Sequence, residues 1–380
     1  MPKVYIEKFS GYQDERIIPF IRDCINSVPF DFRNKKVLLK PNMLMGKDPV
    51  HSITTHPVII EAAARILREK GAKVLIGDSP GMPLPPALVA RQLGLTDMIR
   101  KTGMEFVDFT RDPIRITRKE NKLVKTFILA RIVRDVDFIL NLSKLKTHVQ
   151  AVYTGAIKNL FGFIPGILKS QFHLKFPDTG HFGQMIADLA LIIKPGLSIM
   201  DGIIAMEGQG PSNGRPKQLG LLIASQDMVA LDSVACYCIG QDPFQVPIIA
   251  KSFESGLGEI DLSRIEVIGQ KDPDKLRDRS FLLIPGRSHM HFRITEKLHP
   301  LLKQYFIARP VIKRKKCVKC HVCVKVCPVK AMSASRNEVP VYDYVKCIRC
   351  YCCHEMCPEQ AIFKKDNLMT RIMFGKSVGP

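Results

Sequence analysis

Nine of the twelve cysteines in this 380-residue chain fall between Cys317 and Cys357, and they write one spacing twice. The first run is Cys317-x2-Cys320-x2-Cys323-x3-Cys327-Pro328 and the second is Cys347-x2-Cys350-x2-Cys353-x3-Cys357-Pro358. Outside the cluster only Cys24, Cys236 and Cys238 occur. A disulfide framework does not crowd its thiols into one short segment of a chain otherwise poor in cysteine, so the spacing reads as metal ligation. Structural zinc takes four ligands, usually as two pairs across a longer loop, and a tandem x2-x2-x3-Pro run is not that pattern.

The two runs resemble bacterial ferredoxins in all eight cysteines and both prolines. In that pattern three cysteines wrap one 4Fe-4S cubane while the fourth reaches the other cluster. The resemblance implies two 4Fe-4S clusters. It assigns Cys317, Cys320, Cys323 and Cys357 to the first, and Cys347, Cys350, Cys353 and Cys327 to the second. A Cys-x3-Cys-x2-Cys run, as a radical-SAM site requires, is absent. Cys352 has no place among the ligands and reads as a spare thiol. His321 and His354 read as solvent-facing loop residues.

The chain carries 57 Lys+Arg against 36 Asp+Glu, a net charge of +21. Such an excess suits nucleic acid, a membrane surface or an acidic partner. The basic residues are dispersed, and no helix-turn-helix, RRM or OB pattern surrounds Lys313-Arg314-Lys315-Lys316, so nucleic acid is not expected. That tract abuts the first ligand instead. Residues 311–380 hold 14 Lys+Arg and 5 Asp+Glu, which leaves the ferredoxin end basic even after two cubanes of about −2 each. Two readings stand: a docking face for an acidic electron donor such as a ferredoxin or flavodoxin, or a merely solvated surface. No apolar run spans a bilayer; the best, Asp188 to Met200, is broken at Lys194-Pro195, and no transmembrane segment is expected. The first residues show no signal-peptide pattern, so a cytoplasmic protein is expected.

With 46% hydrophobic residues the chain can bury a core. Up to about residue 270, short apolar runs alternate with amphipathic segments of helical length. Strands are expected at Lys3–Phe9, Lys36–Lys40, Ala72–Gly77, Glu105–Phe109, Asp137–Leu142, Leu197–Met200, Leu219–Ala224 and Ile265–Ile268. Helices are expected at Asp14–Asn26, Pro57–Glu69, Pro86–Leu93, Phe182–Ile193, Met228–Ile239 and Val246–Ser255. This alternation predicts an α/β fold with a mostly parallel sheet covered by helices, followed by a small α+β ferredoxin-like unit. Ile114–Arg118 and Lys125–Ala130 read as an inserted hairpin. The expected division is 1–270 for the α/β domain, 271–312 for a linker with an amphipathic helix near 293–307, 313–366 for the ferredoxin domain and 367–380 for a tail. The helix reads as packed on a domain, or as lying against a membrane surface or partner.

In parallel sheets ligands bind beyond the carboxyl ends of the strands. The segments expected there are Lys40–Met43, Gly77–Gly81, Asn141–His148 and Asp201–Gly214. Val37–Asn42, Asn141–His148, Thr154–Gly162 and Asp201–Pro211 together resemble the domain of unknown function 362, a family with iron–sulfur members carrying a ferredoxin module. The resemblance spans roughly residues 35–270 and implies a fold and a cluster without an established reaction.

The residues themselves suggest a crevice for a small anion. Lys40, Lys144, Lys146 and Lys158, with Asn42, Asn159 and Asp78, form the expected binding set, and Lys158, His148 and Glu207 the expected catalytic set. The competing reading is that the lysines are solvated surface charges. Lys158-Asn159 stands apart, because it lies in the mostly apolar stretch Gly155–Gly162, where a lysine needs a partner or a task. His173 is a further cation candidate.

Gly208-x-Gly210-x3-Gly214 misses the dinucleotide spacing, and no P-loop is present. Gly77-Asp78-Ser79-Pro80-Gly81 matches a nucleophile elbow in letters only, since Pro80 has no N–H for an oxyanion. Two functions remain. One is an iron–sulfur redox protein passing electrons to a small anion or further centre in the crevice; the other is a non-catalytic electron-transfer subunit docking a larger redox partner. The Lys158 segment followed by His173 also resembles nickel-pincer racemases, at the level of fold analogy.

Overall fold

The structure is a computed structural model that describes residues 1–81, 84–166, 168–270, 273–284 and 308–366. Its strands in chain order are β1 (Lys3–Lys8), β2 (Lys36–Pro41), β3 (Lys73–Ile76), β4 (Glu105–Phe106), β5 (Ile114–Thr117), β6 (Thr126–Leu129), β7 (Phe138–His148) and β8 (Val152–Thr154). They continue as β9 (Leu197–Glu207), β10 (Arg215–Ser225), β11 (Glu266–Gly269), β12 (Arg309–Ile312), β13 (Met332–Ser333), β14 (Val341–Tyr342) and β15 (Ile362–Lys365).

One sheet runs β11-β1-β10-β9-β7-β2-β3-β4, with β8 hung from β7. Five of its eight strand pairings are parallel; β10 opposes both neighbours, and β8 opposes β7. The fold is therefore a mixed, mostly parallel α/β sheet. Alternating side chains feed a core on each face. Leu38 and Ile139 point to the core built with the helices Thr179–Ile193 and Met228–Cys238. Leu39 and Leu140 point to the core built with the helices Ile17–Asn26 and Pro57–Glu69. The helix Pro57–Glu69 starts where the sequence says it should: Pro57 fills its first position and His56 Nδ1 accepts the Val58 amide proton at 3.3 Å.

Several boundaries differ from expectation for one physical reason. β7 and β9 are each 11 residues long, and the polar stretches Ser143–His148 and Asp201–Glu207 are strand rather than loop. Every residue of β7 is buried, including Asn141, Ser143, Lys144, Lys146 and Thr147. Polar letters read as loop by composition, but a central strand flanked on both sides keeps its backbone paired whatever its side chains. The helix Leu95–Thr102, flanked by left-handed Gly94 and Gly103, was not expected. The hairpin of β5 and β6 is antiparallel as read.

After β11, Leu276 and Phe281 pack into the larger core, fastening this segment to the α/β domain. The amphipathic segment 293–307 and the tail 367–380 lie outside the described residues. The cysteine-rich unit begins with β12, which pairs antiparallel with β15, while β13 pairs with β14. The loop after β9 carries it. Ser212 Oγ donates to Glu355 O (2.8 Å), Asn213 Nδ2 to Ile362 O (2.6 Å) and Gln360 Nε2 to Ser212 O (2.7 Å). The glycine-rich segment expected to face a ligand is thus the dock for the second unit. Among the described residues no helix is long and apolar enough to cross a membrane.

Candidate functional site

The cysteine loops repeat in backbone as well as in letters. Left-handed φ values at Lys319, His321 and Lys330 recur at Arg349, Tyr351 and Gln360. Short helices Val322–Lys325 and Cys352–Glu355 follow in the same places. Cys327 Sγ accepts the Ala331 amide proton at 3.2 Å, and Cys357 Sγ accepts that of Ala361 at 3.2 Å. Such turns curl the chain around a point, and amide donors aimed at sulfur stabilise a thiolate.

Cys317, Cys320 and Cys323 line one small hollow together with Cys357 from the other run, beside Ile312 and Ile362. Burial pushes the Cys323 thiol up to about 12, with Cys357 and Cys320 adding to the effect. A metal-bound cysteine coordinates as the thiolate, its proton released to solvent. The donor set fits a 4Fe-4S cubane. Cys353 is likewise surrounded by Cys350 and Cys347 and pushed far up by burial. A cluster bound there would supply single electrons, and these cysteines would hold it.

A cavity of about 420 Å³ lies where the two cysteine runs meet the α/β domain. Cys327, Cys352 and Glu355 form one wall; Asn42, Asp78, Lys146, Lys158 and Asn159 form much of the facing one. A chain of amides sets the latter. Lys146 Nζ donates to Asn42 Oδ1 (3.0 Å), Asn42 Nδ2 to Asn159 Oδ1 (3.0 Å), and Asn159 Nδ2 to Asn141 Oδ1 (2.8 Å). Lys146 also donates to Ile53 O at 2.7 Å. Burial drives its ammonium well down, and the Lys158 charge adds to this.

Lys158 and Asn159 sit on the short helix Ala156–Asn159, whose first amides are caught by Asp232: Ala156 N at 2.7 Å and Ile157 N at 3.0 Å. Lys169 donates to Ser79 O (2.7 Å) and Ser79 Oγ (2.8 Å), and burial lowers its pKa to about 7.

Lys40 does not line the cavity; it lies beneath its floor, 0% exposed, with Nζ 2.9 Å from Asp78 Oδ1. Asp78 also accepts from Met43 N (2.7 Å) and Ser79 N (2.8 Å). Gly162 closes over this pair, and a Cβ there would meet both Asp78 Oδ1 and Lys40 Nζ.

His148 is one layer back. Its Nδ1 accepts from Gln150 N and Ala151 N (3.2 and 3.1 Å), which leaves the Nε2 proton facing Glu355 Oε1 at 3.0 Å, a close approach without the alignment of a hydrogen bond. Burial lowers His148 to about 4, and His173, stacked on Phe182, to about 4 as well.

Two further expected residues, beyond Lys40 and His148, do not line the cavity and stand outside the site. Lys144 belongs to the strand interior, paired with Asp201 at 2.8 Å. Glu207 accepts from Leu282 N (2.9 Å) and Arg215 (3.2 Å), and so ties the chain after β11 to β9 and β10. Lys40, Lys144 and Lys146 are at most 1% exposed, which rules out the surface-charge reading for them. His354 is fully buried rather than solvent-facing, and Cys352 is a cavity residue rather than a bystander. Glu355, Lys169 and Tyr12 escaped the sequence reading. Glu355 and Lys169 had no signal beyond ordinary charge; the packing of one unit against the other brings in Glu355, and the fold of the α/β domain brings Lys169 onto Ser79.

These features define an iron–sulfur protein with a ferredoxin-type domain docked on a mixed α/β domain, and that domain gives the chain an electron-transfer role. Residues 309–358 match the 4Fe-4S dicluster domain, and residues 37–237 match the Domain of unknown function (DUF362). The chain belongs to the DUF362 family. It is 36% identical over 223 residues to the thylakoid-associated protein sll1697 of Synechocystis sp., across 58% of this chain and 68% of that one. Two solved structures resemble it at TM-score 0.38: a structural-genomics protein from Thermotoga maritima (14% identity, 56% of this chain, 55% of that one) and the lactate racemase apoprotein from Thermoanaerobacterium thermosaccharolyticum (11% identity, 62% and 56%). The chain spans little more than half the length of either.

Proposed function

We propose that this protein passes electrons through two 4Fe-4S clusters to a small anion held in the cavity. The observation that carries the reading is the shared wall: Cys327 and Cys352 line the same cavity as Lys146 and Lys158. In the proposed ligation, Cys327 joins Cys347, Cys350 and Cys353, so the second cluster abuts the cavity. The first, held by Cys317, Cys320, Cys323 and Cys357, is the entry point. Cys320 is exposed, Val318 beside it is 59% exposed, and Lys315, Lys316 and Lys319 surround them. A basic rim around an exposed apolar contact suits an acidic donor such as a ferredoxin or flavodoxin. Lys158 is the anion's counter-charge, while His148 acts through Glu355 as a positioning residue. Glu207 has no part. Cytoplasmic placement belongs to the same proposal, and cell fractionation tests it.

The test is electron paramagnetic resonance on the anaerobically reduced holoprotein, titrated with sodium acetate, hexanoate and phosphate. An anion-dependent shift confined to one cluster signal, and abolished by Lys158→Gln, is the expected result. Signals indifferent to every anion would favour the non-catalytic electron-transfer subunit.

A further inference from the structure

The cavity divides into two halves of different chemistry. Its polar half holds Lys146, Lys158 and Lys169 with the amides of Asn42 and Asn159. Its other half is hydrocarbon: Leu44, Leu84, Phe161, Leu174, Val326 and Met356. Gly81 exists to let this half close, because a Cβ there would meet Met356 of the ferredoxin unit and Leu44. The cations are not equivalent. Lys146 spends two donors on Asn42 and Ile53, and Lys169 is anchored on Ser79 and Pro80. Among the described residues Lys158 closes no ion pair or hydrogen bond; its ammonium stands 5.8 Å from the Phe161 ring centroid, at the junction of the two halves.

The charge count limits the guest. Four lysines (Lys146, Lys158, Lys169 and the exposed Lys325) and two carboxylates (Asp78 and Glu355) line the cavity, and no arginine does. Phosphate sites that use lysine usually add arginine forks, nests of backbone amides or helix N-termini, which supply many donors to a multiply charged group. Point charges on lysines, partly offset by carboxylates, suit a single negative charge. A small hydrophilic anion would also leave the hydrocarbon half in contact with trapped water, which costs affinity.

We infer that the cavity binds an amphipathic monocarboxylate, its carboxylate on Lys158 and its apolar body against Leu44, Leu84 and Leu174. The inference rests on the anion reading above and deepens it. The ligand class is a carboxylic acid with an aromatic ring or a chain of several methylenes.

Isothermal titration of the anaerobic holoprotein with acetate, hexanoate, benzoate and inorganic phosphate tests it. Each buried methylene is worth roughly fourfold in affinity, so hexanoate, with four more methylenes than acetate, should exceed it by about tenfold if two of them are buried and by up to about 250-fold if all are, with benzoate comparable to hexanoate. Lys158→Gln should weaken hexanoate by roughly ten- to a hundredfold, as losing a charged partner does, whereas Lys158→Arg should retain most of the binding. Leu174→Ser should weaken hexanoate and leave acetate unchanged. The melting temperature of each variant separates lost binding from lost folding, and the Arg variant keeps the test open if Gln unfolds. Phosphate binding as tight as hexanoate would overturn the inference while leaving the anion reading intact. Hexanoate no tighter than acetate would overturn it too. Absence of binding by all four anions would overturn both.

Discussion

Lys144 and Asp201 are directly opposed residues on the neighbouring parallel strands β7 and β9, and they close a 2.8 Å ion pair at 1% and 0% exposure. Tyr12 completes the arrangement: its hydroxyl donates to Asp201 at 2.9 Å and accepts from Lys144 Nζ at 2.8 Å. Burial and the Asp201 charge hold that hydroxyl protonated. Asp201 also takes the His56 amide proton at 2.9 Å, so one carboxylate ties two strands to the start of a helix.

This cross-strand pair predicts a purely structural phenotype. Lys144→Met leaves the Asp201 charge buried without its counter-ion, a change that costs about 3–5 kcal/mol. The urea midpoint should fall accordingly, while hexanoate affinity at the remaining folded protein stays as it was, because Lys144 does not line the cavity. An unaltered midpoint would show that the pair contributes nothing.

Gly162 makes a second structural prediction. Gly162→Ala drives a methyl group into the Lys40–Asp78 pair under the cavity floor, where neither partner can retreat. Overpacking of this kind costs about 1–3 kcal/mol. Thermal unfolding should register it, and the disturbance of Asp78 should also loosen the loop at Met43 and Ser79. A variant melting with the parent protein would mean that the floor is softer than its contacts indicate.

The sequence made some of this legible and hid the rest for identifiable reasons. The cysteine repeat pointed to an iron–sulfur domain because an x2-x2-x3-Pro spacing has few other uses. The parallel core was readable because Val37–Leu39 and Phe138–Leu140 are continuous apolar runs. The inner ends of β7 and β9 were not, because Lys144, Lys146 and Asp201 are polar residues satisfied inside a sheet rather than in loops. Lys158 and Asn159 stood out as charged and polar residues in an apolar context, and both line the cavity. Glu207 and Lys144 were placed with them as loop residues beyond the ends of strands; both lie within the strands, and residue type does not say which way a strand residue points. Glu355 was invisible for a different reason: its carboxylate faces His148 and feels the Lys158 charge, and both residues belong to another unit of the chain.

Crossed ligation predicts a nonlocal effect. Anaerobically reconstituted protein should hold about eight iron and about eight acid-labile sulfide, as two cubanes require. Cys327→Ala should then damage the cluster beside Cys347, Cys350 and Cys353 more than the one nearest it in sequence, and should alter hexanoate binding as well, since Cys327 lines the cavity. Spectra showing loss confined to the Cys317–Cys323 cluster would contradict the crossing, and stoichiometric zinc without sulfide would end the cluster assignment altogether.

Lys169 predicts how anion binding depends on pH. Burial lowers it from 10.5 to about 7; Asp78 pulls it back up, and Lys40 and Lys158 push it further down. Below about 7 Lys169 is an ammonium beside the cavity, and above it a neutral amine. Carboxylate affinity should therefore be highest below pH 7 and fall as pH rises through it. His148 and His173, held near 4, stay neutral above pH 5 and add no slope there. The linkage runs both ways. An unfolded lysine keeps its proton to about 10.5, so the burden of burying this one is full below about 7 and is relieved between about 7 and 10.5. Unliganded protein should gain stability across that window as pH rises. A bound carboxylate returns the proton to Lys169, so at pH 8 hexanoate binding should take up a proton from solution. Calorimetry in two buffers of different ionisation enthalpy measures that uptake, which should vanish in Lys169→Met. Equal uptake in parent and variant would place the titrating group elsewhere in the cavity.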